Sequence, residues 1–138
     1  MSELDRFSVS MEADLLSAFD RRIEQAGYGS RSEAIRDVVR DYLVAEQSRR
    51  PDAPVIGTVT LVYDHHARQL EDRLTQLQHD HHDAIRCVTH VHLDAHNCLE
   101  VVVLAGASAR VQAVAEQLIS TRGVKHGKLV VTGVAETS

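Results

Sequence analysis

No stretch of this 138-residue chain approaches the roughly 20 consecutive apolar residues that cross a bilayer, so no membrane partner is expected. It also lacks G-x-S-x-G, a P-loop and G-x-G-x-x-G, the common signatures of hydrolases and nucleotide-binding enzymes, and no enzyme is expected. Cysteine is scarce, with only Cys87 and Cys98 present. Two thiols behind an opening MSELDRF, which has neither the basic nor the apolar part of a secretory signal, point to a reducing cytoplasm and away from a disulfide scaffold. Positive charge is in short supply too. The net charge is −5, and residues 1–50 hold eight arginines against ten Asp plus Glu. Bulk attraction to nucleic acid is thereby excluded, and any such contact must come from a few placed groups. The chain has no internal repeat and no low-complexity tract.

What the chain does have is histidine. Six of nine fall between His79 and His96, within QHDHHDAIRCVTHVHLDAHNC. Ile85, Cys87, Thr89, Val91 and Leu93 alternate with Arg86, Val88, His90, His92 and Asp94, the period of a strand with one packed face. Cys87 falls on the apolar side, where it reads as buried filler. Residues two apart on a strand point the same way, so His90 and His92 project side by side. DAHN then reads as a turn into a second strand. A hairpin register that sets Cys98 beside His92 would place two imidazoles and a thiolate on one patch. That is most of a metal site, and its ligand softness suits zinc, copper or nickel and not magnesium or calcium. Solvated histidines and a small apolar cysteine are the bland alternative.

The length admits one ordinary domain or two small ones. Residues 46–54, EQSRRPDAP, break the helical pattern and contain both prolines, so they read as the joint between two. The expected division is 1–48, a linker at 49–54, and 55–138. In the first part Arg6, Ser8 and Ser10 alternate with Phe7, Val9 and Met11, a short strand with a polar face. A helix with Leu15, Leu16, Phe19 and Ile23 ends at Gly27, and Ser30-Arg31-Ser32-Glu33 is a capping box opening a second helix. Ile35, Val38, Val39, Tyr42 and Leu43 form its apolar stripe. One strand and two helices cannot build a core alone, and a symmetric dimer with paired strands would supply one. That is a ribbon-helix-helix domain, whose ribbon reads the major groove with Arg6, Ser8 and Ser10. Arg31 and Arg36 lie in the first turns of the second helix, where amide donors suit a phosphate.

The second part reads as strand 55–63, helix 67–78, strands 84–94 and 98–105, helix 108–122 and strand 128–132. That order is βαββαβ, the ferredoxin-like arrangement. The fold class expected for the whole chain is α+β.

RFSVSMEADLL, GYGSRSEAIRDVVR and the QHDHHD…HVHLDAHNCLEVVVL…RGVKHG series together resemble the nickel-responsive transcriptional regulators, the NikR family, over nearly the whole chain. The resemblance implies a repressor of operator DNA: a homotetramer in which two DNA-binding dimers flank a core of four ACT-like regulatory domains. It implies Ni(2+) held between chains in square-planar geometry by His90, His92 and Cys98 of one chain and His79 of a neighbour. Asp80 interrupts the histidine run, so His81 or His82 competes with His79 for that role. Glu33 and Asp37 match carboxylates that bind a second cation, although an ordinary i, i+4 acidic pair on a solvated helix face explains them equally. His65 matches a position of weaker metal binding. The implied mechanism is ordering: metal at His79 fastens the segment after the 67–78 helix and favours the DNA-competent form. The competing classes are a metalloenzyme or metal carrier, and a ribbon-helix-helix repressor sensing an amino acid or another metal such as copper or zinc.

Overall fold

A computed structural model describes residues 3–133, Arg68 by its backbone alone; residues 1–2 and 134–138, the outer ends of the two expected domains, lie outside the described residues. The chain divides into two compact units, 1–40 and 41–138.

In the first unit, α1 (Ala13–Gln25) precedes the start of α2 (Arg31–Ser48), which continues past the unit boundary. Gly27 ends α1 in the left-handed region at φ +86°. The amides of Gly27 and Tyr28 turn back to the carbonyls of Glu24 and Ile23, which satisfies the last turn of the helix. The capping box forms almost as written. Ser30 Oγ accepts the Glu33 amide at 3.2 Å, while the Glu33 carboxylate accepts the Gly29 amide at 3.0 Å. Residues 3–11 form no strand, unlike the expectation. A ribbon strand pairs only with a second copy of itself, so in one chain its backbone groups have nothing to form a ladder with. Phe7 and Val9 are correspondingly 72% and 66% exposed, as is most of the apolar stripe of α2.

The second unit contains β1 (Pro54–Asp64), α3 (Arg68–Asp80), β2 (Ile85–His92), β3 (Asn97–Ala107), α4 (Ser108–Ile119) and β4 (Val124–Thr132). The sheet order is β2-β3-β1-β4 with every neighbouring pair antiparallel, which is the ferredoxin-like topology. One sheet face buries Val55, Val59, Leu61 and Tyr63 of β1 and Cys98, Val102 and Leu104 of β3. Leu70, Leu74 and Leu77 of α3 and Val111, Val114, Ala115 and Leu118 of α4 complete that core, as the helical spacing predicts. The other face is open, with Ile56, Val91 and Val130 each more than two-fifths exposed.

One expectation changes here. Cys87 is exposed and is not core filler. Thr89 and Val91 pair with Val101 and Leu99, and Cys87 belongs to the same open face, while His90 and His92 pair with Glu100 and Cys98 on the helix-covered face. Alternation separates two faces of a strand, but the helices decide which one is covered. The residues at 49–54 make contacts of their own. Helix α2 runs to Ser48, and the chain then turns against the start of α4. The Ala53 carbonyl accepts the Ser108 amide at 2.8 Å, the Pro51 carbonyl accepts the Ala109 amide at 3.0 Å, and Ser108 Oγ donates to the Ser48 carbonyl. Helix α4 has no side-chain amino-terminal cap, so these carbonyls satisfy donors that would otherwise be orphaned.

Candidate metal centre and DNA interface

The turn joining β2 to β3 is organised by one side chain. Asp94 Oδ1 accepts the amides of His96 and Asn97, each at 2.8 Å, and Oδ2 accepts the Asn97 side-chain amide at 3.0 Å. These donors, led by the Asn97 side chain, hold its carboxyl down to about 2. The turn sets the register in which His92 faces Cys98, and Nδ1 of His92 lies 3.5 Å from Sγ. The rings of His90 and His92 stand 5.0 Å apart. Cys98 is fully buried and lies between β2 and Tyr63 of β1.

Two groups of ligand atoms converge on that sulfur, each within 4.8 Å: His65, His92 and Cys98, and Glu71, His90 and Cys98. His65 follows β1, its ring is 5.7 Å from that of His92, and its Nδ1 is buried without a hydrogen-bond partner. A buried imidazole nitrogen left unsatisfied is uncommon, and a cation would satisfy it. The thiol is pushed up by burial first, and then by the negative charges of Glu71, Asp64, Glu100 and Asp94. A thiolate there needs a cation. The donor set of soft sulfur and imidazoles fits a late first-row metal such as nickel.

Tyr63, Glu100 and Gln78 surround His90, none of them a predicted ligand. Tyr63 is buried, and its hydroxyl lies 3.2 Å from His90 Nδ1. Glu100 is 8% exposed, 3.9 Å from the same nitrogen, and accepts a hydrogen bond from Gln78 at 3.2 Å. Burial, the largest influence, raises the Glu100 carboxyl. Metal ligands are commonly oriented by such partners.

His79 lies in the last turn of α3, exposed and outside every convergent group among the described residues. The helix extends to Asp80, two residues past the expected end. His81 is bonded to Gln117 at 2.7 Å, and His82 Nδ1 lies 3.1 Å from the His79 carbonyl. Among the described residues the His79 imidazole makes no hydrogen bond.

In the amino-terminal unit, Arg6, Ser8 and Ser10 are all exposed. Arg31 forms a two-pronged pair with Asp20, Nε to Oδ1 at 2.8 Å and Nη2 to Oδ2 at 2.7 Å. Arg36 makes no ion pair among the described residues. Glu33 is occupied with the Gly29 amide, while Asp37 accepts the Tyr28 hydroxyl at 2.7 Å and pairs with Arg40 at 3.0 Å. Both carboxylates therefore have partners of their own.

Residues 5–46 match the family model described as ribbon-helix-helix protein, copG family, and residues 56–132 match that described as NikR C terminal nickel binding domain. Among similar proteins, one named as a nickel-responsive regulator in Geobacter sulfurreducens is 54% identical over 136 residues, 99% of this chain and 98% of that protein. Others so named in Solibacter usitatus and Trichlorobacter lovleyi are 55% and 51% identical over 132 residues, each covering 96% of this chain and 95% of the relative. Among solved structures, an uncharacterized protein of Thermotoga maritima superposes with a TM-score of 0.51 at 16% identity, covering 58% of this chain and 99% of its own. That likeness concerns the fold alone.

Proposed function

The chain belongs to the nickel-responsive regulator family, with a ribbon-helix-helix domain and a nickel-binding domain, and from that premise we propose that it is a cytoplasmic, nickel-dependent repressor of operator DNA. The observation that carries this reading is His92 Nδ1 at 3.5 Å from the buried Cys98 sulfur, with His90 beside it. His90, His92 and Cys98 would hold Ni(2+) from one chain, with His79 of a neighbour as the fourth ligand. When bound, the cation supplies the positive charge that a buried thiolate lacks. His79 fits the inter-chain role better than His81 or His82 because it is exposed, whereas His82 Nδ1 and His81 Nε2 are engaged within the chain and the other His81 nitrogen is buried.

The exposed Phe7, Val9, Val38 and Tyr42 support a dimeric ribbon-helix-helix, since the described residues of one chain leave more than half of each uncovered. Two such dimers on a tetrameric core of regulatory domains complete the assembly. We place the functional division at 1–48 and 55–138 with a joint at 49–54, Arg6, Ser8 and Ser10 on the bases, and Arg31 and Arg36 on phosphate. Glu33 and Asp37 would take a second cation only by exchanging their present partners. Fastening His79, in the last turn of α3, to a neighbour holds that helix end against the other chain and favours the DNA-binding form, because a ligand shifts an equilibrium only toward the state it binds better.

A second reading has its own support. His65, His92 and Cys98 already converge within one chain, so His65 competes with His90 for the metal. The deciding experiment titrates apo-protein with Ni(II), follows the thiolate charge-transfer absorption, and repeats it for His65→Ala and His90→Ala. Loss only in His90→Ala supports the inter-chain set. Loss only in His65→Ala supports the other, and no thiolate band in the wild type rejects both.

A further inference from the structure

The pairing of Arg31 with Asp20 is independent of the metal centre. Arg31 opens α2, and Asp20 lies on α1. The guanidinium presents two parallel donors and the carboxylate two acceptors, at 2.8 and 2.7 Å. That fork-on-fork geometry is the one arginine uses for a DNA phosphate. Both side chains stay more than a third exposed, 56% and 39%, so the pair can open to an incoming anion. At such exposure an ion pair contributes little to stability. As a competitor it is effective, because exchanging one two-oxygen anion for another costs Arg31 no hydrogen bonds. Arg40 is likewise held, by Asp37, whereas Arg36 is not paired among the described residues.

We propose that Asp20 is a built-in phosphate mimic that occupies Arg31 and restrains sequence-independent DNA binding, leaving selection to the ribbon. This rests on the DNA-binding reading above. It also accords with a chain of net charge −5, which has no general attraction for polyanions. The same contact explains why Arg31 is a conditional phosphate ligand: DNA must displace Asp20 to use it.

The test measures binding of nickel-loaded protein to a random-sequence duplex of about 40 base pairs across a salt series, by fluorescence anisotropy. Asp20→Asn, and Asp20→Ser as a second variant, should tighten that binding at least about threefold, the scale of one exposed ion pair. The salt dependence should steepen by about one counterion for each Arg31 released. Adding Arg31→Ala to either variant should remove the gain, and thermal melts should match the wild type. Wild type that binds the duplex while both Asp20 variants bind no tighter overturns the proposal. So does a gain that survives Arg31→Ala. A wild type that binds no DNA with nickel loaded overturns the DNA-binding reading, and the proposal with it.

Discussion

His92 and Cys98 face each other across the β2–β3 ladder, Nδ1 to Sγ at 3.5 Å, although only six positions separate them in the chain. Cys98 is also part of the core, so removing it should have two separable effects. Cys98→Ala should abolish tight nickel binding and lower apo-protein stability by about 1 kcal/mol, the scale for deleting one buried group. Calorimetric titration beside a thermal melt checks both. Unchanged nickel affinity would remove Cys98 from the site.

A site shared between chains has a signature in mixtures. His79→Ala chains and Cys98→Ala chains should each fail to bind nickel tightly alone. Mixed assemblies should regain some sites, since one interface then holds a complete ligand set. Mixed assemblies shown to form by mass spectrometry, yet binding no nickel, would mean that His79 is not the partner's ligand.

Burial and four nearby carboxylates favour the protonated Cys98 thiol. Coordination must expel that proton, so nickel affinity should climb with pH through neutrality and beyond, by up to about tenfold per unit from this proton alone. Glu100→Gln removes one of the opposing charges and should shift the profile to lower pH. Isothermal titrations between pH 6 and 8.5 decide it. A flat profile would exclude a thiolate ligand.

The turn should outlast the metal in acid. Folding holds Asp94 at about 2, below its ordinary 3.8. A carboxyl depressed on folding stabilises the fold above its unfolded value, and that contribution is lost only as pH falls through the folded one. NMR of the His96 and Asn97 amides should therefore show them bonded at pH 4.5, and Asp94→Ala should loosen them and weaken nickel binding at neutral pH. Unaltered nickel affinity in that variant would show that the turn does not set the site.

On DNA, Arg6→Ala should lower preference for an operator over scrambled duplex while leaving nickel binding intact. A good arginine–guanine contact discriminates by ~1–3 kcal/mol. Equal losses on both duplexes would mean that the ribbon does not read bases.

The parts of the site that were legible in the sequence are the local ones. His90, His92 and Cys98 lie within one hairpin, so period two and a recognisable turn were enough to put them on one face of it. His65 and Tyr63 arrive through β1, which pairs with β3 across a separation of more than thirty residues that no local pattern encodes. Glu100, set among apolar residues of β3, is a buried neighbour of His90 that no local pattern marks. Cys87 was misplaced because β2 is an edge strand whose more apolar face has no helix over it. In the amino-terminal unit the capping box was legible, whereas the Asp20–Arg31 pair depends on how α1 and α2 meet.

The carbonyls of Ser48, Pro51 and Ala53 that close the amino end of α4 bear on how this protein can be divided and recombined. A carboxyl-terminal fragment cut at Val55 would lose all three acceptors and leave the amino end of α4 frayed beside the sheet. Chemically, the tail starts at Ser48. Grafting a different amino-terminal head onto it would succeed only if those six residues travelled with the tail, whatever their appearance as spare chain.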